Sequence, residues 1–593
     1  MDIYTTTIAI SILVYILIGN YAGRGIRNLD DYYVAGRRAP TLLIVGTLVA
    51  SVMSATMFLG EAGFAYDMAA GPYVLFPQAA ATGYVLGAFF FGRYLRRSRT
   101  TTVAEFFGQR FNSKRVQALA GFTIVFALGG YLLAVTQGAA ILLSGLVDLS
   151  YVQCLFVAWL SYTAFTMYSG SRGVILTDTI MFLLFTCASM AAIVFLVGEL
   201  GGVSHIVEEL TRIEQKPGLT SWHGAIGPGT GFPTPMDYLI WAIIIDVSWA
   251  LVYMVSPWQS SRHLMARNEH VVLRSATIAA VVVALLQVMV YGMGGVINLG
   301  MTDIDPPDSA TIWASLNMLP EILGALMLAG ITAAALSSAS TFLSLVGFSV
   351  SNDIGIHDSD DDRTTLGFSR LMMLVTGAVV LGLALVFPPQ IFWLTTFIAT
   401  VFASSWGPVG LMAIWSKRIT EAAAFWGMLT GLVFNVVPKF FEFIGMVQLP
   451  SYLEPALIGG VASLAATILI SRRTTVTREE ATYLEKLHRR PAEELGHRRT
   501  RTTLIAPAVL LVVNGVLAPW FLLEQYVRPY QRAAGQLLAD GSLNMMTGEF
   551  ALIVSWVVIW SGLGLFSLWY IRRSYSPPAP GATGPVAGDA RDY

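Results

Sequence analysis

Five hydroxyl side chains crowd one apolar stretch, "AAALSSASTFLS" from Ala333 to Ser344: Ser337, Ser338, Ser340, Thr341 and Ser344. Ser337, Ser340, Thr341 and Ser344 stand at i, i+3, i+4 and i+7, so a helix places them in one stripe, with Ser338 at its edge. A hydroxyl in hydrocarbon needs a partner. It can bond the carbonyl one turn back or let helices pack closely, or it can face a ligand that wants oxygen. Clustering at this density favours the ligand. A small hard cation is what such oxygen donors suit.

A cation site also needs charge and carbonyl oxygen. Asp178 lies in "GVILTDTIMFLLF", inside an apolar run. A carboxylate there costs about 2.5–3.5 kcal/mol to insert and is a functional group by default. The alternative is an Asp near a cytoplasmic helix end, bonded to Thr177 or Thr179. Glu61 and Asp246 are the other acidic residues well inside apolar runs, and either can line a wet vestibule. The segment "VASVMSATMFLGEAGFAYDMAAG", Val49 to Gly71, is rich in small residues, and Gly60 and Gly63 weaken its helix propensity. Small residues allow close packing. They equally allow local unwinding, which frees carbonyls for an ion and N–H groups for an anion. No Lys or Arg is expected in the middle of these spans, and "QSSRHLMARNE" reads as a loop.

The elements that must position these groups are membrane helices. Of 593 residues, 55% are hydrophobic and 12% charged, about half the roughly 25% charged residues of soluble domains. A net charge of -1 gives no electrostatic case for nucleic acid. Cys154 and Cys187 show no metal-site spacing, and the seven histidines form no HExxH cluster. No nucleophile or cofactor motif supports an enzyme. Apolar stretches of about 20 residues recur. Their centres lie near Ile12, Ser51, Val85, Ile124, Trp159, Leu184, Ile244, Val282, Ala335, Ala378, Val401, Thr430, Ala462, Val512 and Val558, roughly fifteen spans. With the N-terminus outside and the C-terminus cytoplasmic, nearly all short basic loops fall inside. The N-terminal stretch has Asp2 in place of a basic n-region and reads as a retained first span.

The fold class is therefore an all-α polytopic membrane protein. Spans two to six and seven to eleven form two units of five. An odd unit is followed by one of opposite orientation, which permits an inverted repeat. The predicted organisation is a first helix and cytoplasmic loop over 1–39, a ten-helix core over 40–417 and two flanking helices over 418–472. A charged cytoplasmic linker follows over 473–502, then two additional helices over 503–573 and a disordered Pro/Gly/Ala-rich tail over 574–593.

From about Asp30 to Arg472 the chain resembles the sodium/solute symporter family. The matching pieces, in order, are "DYYVAGRR", "ASVMSATMFLG", "GSRGVILTDTIMF", "QSSRHLMARNE", "AAALSSASTFLS" and "SKRITEAAAFWGMLTG". The resemblance implies a LeuT-type core of five plus five inverted helices with Na+ as the coupling ion. One sodium would be held by the carbonyls of Ala50, Met53 and Ala334 and the hydroxyls of Ser337 and Ser338. A second, present in some relatives, would fall among Asp178, Ser337, Ser340 and Thr341. Proline-transporting members carry an Asp where this chain has Val52. The segment "ASVMSATMFLG" looks more like the branch carrying acetate, other monocarboxylates, iodide and vitamins.

The expected function is sodium-driven import of a small organic solute across the cell membrane by alternating access, most simply a small monocarboxylate. A sugar, amino acid or vitamin, proton coupling through Asp178, and a transporter-like sensory module are the alternatives. The partners are the solute, sodium and lipid, with no nucleic acid; the sequence leaves the oligomeric state open, a monomer included. The substrate cavity is expected beside the interrupted second span. Its candidate lining groups are Ser54, Thr56, Gln78, Gln137, Trp249 and Tyr253. Each aromatic or Gln among them can equally be a packing residue. An anion would be held by helix N-terminal N–H groups, hydroxyls and the sodium.

Overall fold

The computed structural model describes residues 2–26, 28–68, 76–227, 230–354, 362–489, 498–537 and 544–574. Each of the fifteen expected centres falls on a helix. Among the described residues, eleven helices are long and apolar enough to cross a membrane. The pair Thr41–Val52 and Thr56–Asp67, bent by 52°, adds a twelfth. The remaining centres lie on shorter or less apolar stretches, such as Pro455–Ser471. The tail beyond residue 574 lies outside the described residues.

Local sequence explains where helices begin. Helix α1 (Ile3–Gly23) starts at Asp2, whose side chain accepts from the Thr5 N–H at 2.8 Å. Helices α2 (Thr41–Val52) and α3 (Thr56–Asp67) are the two arms of the bent span, and α4 starts the next (Phe76–Gly87). Helix α5 (Lys114–Ser144) is capped by Ser113. Helix α6 (Tyr151–Glu199) opens on a capping box of Ser150 and Gln153. It has 49 residues, which would run roughly 70 Å if straight, more than twice the hydrocarbon thickness. Gly170, at φ +50°, interrupts it; a Cβ there would fall 2.5 Å from the Tyr32 ring. One long element thus serves as two spans.

A second interrupted helix follows further along the chain. Helix α7 (Pro235–Val255) starts on a Thr234–Asp237 capping box with Pro235 in the first turn. At Ser256 (φ -58°, ψ 144°) the chain leaves helical geometry, and α8 (Pro257–Met265) starts afresh behind Pro257. Helices α9 (Glu269–Val296), α10 (Glu321–Asn352), α11 (Asp362–Val386) and α12 (Ile391–Trp415) complete the core. The chain thus breaks helical geometry inside two apolar helices, at Met53 and at Ser256, where backbone groups leave the helical ladder.

The core sorts into two packed groups. Helices α2, α3, α4, α7, α8 and α9 contact one another, while α5, α6, α10 and α11 form the other group; α2 lies against both α6 and α10. Helices α13 (Glu421–Phe443) and α14 (Pro455–Ser471) pair and pack on α12. The last pair, α15 (Arg498–Leu522) and α16 (Asn544–Ser574), leans on α9 and α4. The expected charged linker contains a helix, Arg478–His488, capped by Thr477 and Glu480.

Candidate functional site: an oxygen-lined seam between two helix groups

Between α2 and α3, Met53 sits at φ -74°, ψ 79°. The Ser54 N–H, which helix continuation would aim at the Ala50 carbonyl, donates to Val52 O at 2.9 Å. The Met57 N–H, which would serve Met53, donates to Ser54 O at 3.1 Å. The carbonyls of Ala50 and Met53 are therefore released from the helical ladder. Ser338 of α10 faces one of them, its Oγ donating to Ala50 O at 3.4 Å. Ala334 lies one turn earlier on the same helix, and Ser337 adjoins Ser338.

The small residues of this span serve both readings. Unwinding occurs at Met53 and Ser54. Gly60 allows close approach further along, where a Cβ would meet the Ile391 side chain and Phe392 N at 3.0 Å.

Asp178 is fully buried. Its oxygens accept from Ser337 Oγ and Thr47 Oγ1, each at 2.6 Å. The neighbouring threonines do not bond it: Thr177 and Thr179 turn to the carbonyls of Gly173 and Ile175. The hydroxyl stripe divides. Ser340 and Ser344 donate to backbone carbonyls on their own helix at 2.8 Å. Ser337 and Ser338 reach other elements instead.

One expectation is overturned. Arg262 is buried inside the core, not in a loop. Its Nη2 donates to Thr341 Oγ1 and lies 3.6 Å from Asp178 Oδ2. The physical cause is the break at Ser256–Pro257, which restarts the helix so that α8, all of it buried, passes through protein. The Ser-Pro dipeptide was the available signal. Thr47, one turn before Ala50, is the other side chain at this site that sequence reasoning missed.

The substrate-lining candidates separate. Ser54 and Thr56 hydrogen-bond each other at the break, and Thr56 Oγ1 lies 3.4 Å from Tyr131 OH. Trp249 and Tyr253 line a narrow cavity beside α3 together with Glu61, Gln287, Tyr291 and Phe392. Its free volume is ≈ 10 Å³, about the room one water needs. Gln78 donates to Ser555 Oγ at 3.2 Å and Gln137 to Phe387 O at 2.8 Å, so these two amides are turned to other partners. Asp246 does not line this cavity.

Among the described residues, no trio of His, Cys, Asp or Glu gathers as for a transition metal. Carbonyl and hydroxyl oxygens at a helix break suit a small hard cation.

These features define a multi-pass membrane transporter. In fold, the chain is similar to a Na+-coupled sialic acid symporter in a substrate-bound outward-open state. The TM-score is 0.67 at 18% identity, over 81% of this chain and 99% of that one. It is also similar to Mhp1, a nucleobase-cation-symport-1 family transporter, with TM-score 0.50 at 11% identity over 78% of this chain and 99% of that one. The sodium:solute symporter family model matches residues 32–431, and the chain belongs to that family. Similar relatives include the sodium/pantothenate symporter of Haemophilus influenzae, 24% identical over 474 residues (77% of this chain, 93% of the relative). The sodium/proline symporter of Salmonella typhimurium is 23% identical over 497 residues (80% and 94%). The protein is a transporter of the symporter class and not an enzyme, and its family membership implies use of sodium.

Proposed function

We propose that this protein couples the inward flow of one sodium ion per cycle to uptake of a small organic solute bearing a single carboxylate. The observation that carries the sodium site is the pair of carbonyls, Ala50 and Met53, released at the α2–α3 break opposite Ser338. The ion would bridge them to Ser337, Ser338 and the Ala334 carbonyl. Those ligands belong to two different helix groups, so the ion binds when the groups are apposed and is lost when they part. That differential affinity is what coupling requires.

The second cation position, among Asp178, Ser337, Ser340 and Thr341, is supplied by the protein itself in this reading. The Arg262 guanidinium bonds Thr341 and faces Asp178. A fixed positive charge there does electrostatically what a second sodium would do, which supports a stoichiometry of one.

The carboxylate is supported by the N–H groups and hydroxyls of Ser54 and Thr56 at the start of α3, next to the ion. Pantothenate and proline, named for the relatives, each carry one carboxylate. The test is uptake by proteoliposomes of labelled solutes with and without an inward sodium gradient. Sodium-dependent uptake with a Hill coefficient near one is the expected result. Uptake driven by a pH gradient without sodium would overturn the reading.

A further inference from the structure

Where α1 ends, α2 begins and α6 resumes after Gly170, three arginines line one cavity. Its free volume is ≈ 530 Å³, within the range of small-molecule sites, about 300–1,000 Å³. Arg24 directly follows α1, Arg38 shortly precedes α2, and Arg172 stands just past the Gly170 interruption. A single acid, Asp31, lines the cavity with them. Among the described residues, none of the three arginines makes an ion pair. Arg172 is held in place, its Nη1 donating to the Gly25 carbonyl at 2.6 Å. Gly25 admits it, since a Cβ there would lie 2.6 Å from the same nitrogen. The rest of the wall is largely apolar, with Tyr21, Leu43, Ile175 and Leu176.

The cavity lies at the membrane–water boundary, because α1 ends on it and α2 starts from it. On α1, Leu13, Leu17 and Tyr21 recur every four residues and are 56%, 59% and 72% exposed. A bare apolar stripe therefore runs along this helix from the bilayer interior to the cavity. The same end of the molecule gathers other basic groups: the Arg267 N–H donates to Ala39 O at 3.0 Å, and Arg96 bonds the Ala266 and Arg267 carbonyls. Basic loops mark the cytoplasmic side, whose leaflet carries anionic lipid. We infer that this cavity binds the phosphate headgroup of an anionic phospholipid, with Arg24, Arg38 and Arg172 on the phosphate oxygens and an acyl chain along Leu17 and Leu13. The planar guanidinium fork matches phosphate geometry. Arg38 leads into α2, which carries the freed carbonyls of Ala50 and Met53, and Arg172 shares a helix with Asp178. The lipid thus ties the start of α2 to α6.

The experiment is thermal unfolding of the full chain, purified in detergent and titrated with phosphatidylglycerol, phosphatidylcholine or inorganic phosphate at equal ionic strength. The expected result is a saturable rise in melting temperature with phosphatidylglycerol and none with the other two. Arg38→Gln, at an exposed position, should weaken the apparent affinity for phosphatidylglycerol about fivefold, the contribution of one basic side chain beside an anionic lipid surface. Arg38→Lys keeps the charge and should keep most of the response. Arg418→Gln removes an exposed charge outside the cavity and should leave the affinity unchanged. Five results overturn the inference. No response to phosphatidylglycerol removes the site. Equal stabilisation by phosphatidylcholine is ordinary lipid solvation. Equal stabilisation by inorganic phosphate is binding of a free anion. Equal weakening by Arg418→Gln and Arg38→Gln is diffuse surface charge. Unchanged affinity in both Arg38→Gln and the double variant Arg24→Gln/Arg172→Gln places the lipid elsewhere.

Discussion

Arg262 and Asp178 face each other at 3.6 Å, both buried, across the seam between α8 and α6. The contact joins one helix group to the other at the site where Ser337, Thr47 and Thr341 also converge. Each charge has the other as its nearest compensation.

Removing one member should be worse than removing both. Asp178→Asn leaves a guanidinium unpaired, as Arg262→Gln leaves a carboxylate. Breaking a buried pair from one side costs about 3–5 kcal/mol. Both single variants should melt well below the wild type in detergent, and the double variant Asp178→Asn/Arg262→Gln should regain much of the difference. Additive losses in the double variant would show that the two charges do not compensate each other.

Ser338→Ala removes the hydroxyl that faces the Ala50 carbonyl. The half-saturating sodium concentration for uptake should rise about tenfold, in line with one lost ligand hydroxyl, while folding and insertion persist. Ser344→Ala, whose hydroxyl serves its own helix at Thr341, should leave sodium dependence unchanged. The contrast between the two serines is the measurement that matters.

Gly83 stands where α4 crosses α7. A Cβ there would lie 2.4 Å from Tyr253 Cβ and 2.5 Å from the Ala250 carbonyl. Gly83→Leu must push the helices apart, and overpacking of this kind costs about 1–3 kcal/mol or more. Lower yield and a lower melting temperature are expected. Gly129→Ala, where nothing lies within 4 Å of the new Cβ, is the matched control and should be silent.

Outside the spans, Lys216 donates to the Tyr66 carbonyl at 2.9 Å near the end of α3 and sits over the Tyr66 ring. Burial pushes its ammonium down from 10.5 to about 8, against the opposing pull of Asp67 and Asp303. Between about pH 8 and 10.5 the unfolded chain therefore holds more protons than the folded one, and stability should rise with pH across that window. Thermal unfolding against pH should show this rise in the wild type and lack it in Lys216→Met. A rise of equal size in both proteins would assign it to another group.

Much was legible in the sequence because the bilayer imposes it. The fifteen apolar stretches all fell on helices, two of them on the single long helix Tyr151–Glu199, since a chain without water to bond must close its own backbone hydrogen bonds. The hydroxyl stripe of α10 and the acid at Asp178 stood out because polar groups in apolar runs are costly. The small-residue segment around Met53 marked the break, although its exact turn depended on where Ser54 found an acceptor.

Tertiary structure decided the pairings. Sequence alone placed Arg262 in a loop, because a run of Ser, Arg and His looks solvated until the Ser256 break turns it back into the core. Sequence also grouped Gln78 and Gln137 with Trp249 and Tyr253, yet only the last two share a cavity, with Glu61, Gln287 and Tyr291. The amides found Ser555 and Phe387 instead, residues hundreds of positions away. Composition and periodicity report whether a side chain can be buried, which is a local property paid to the solvent. They carry no record of which distant group completes its hydrogen bonds or balances its charge, and at this site those partners come from helices that only the fold brings together.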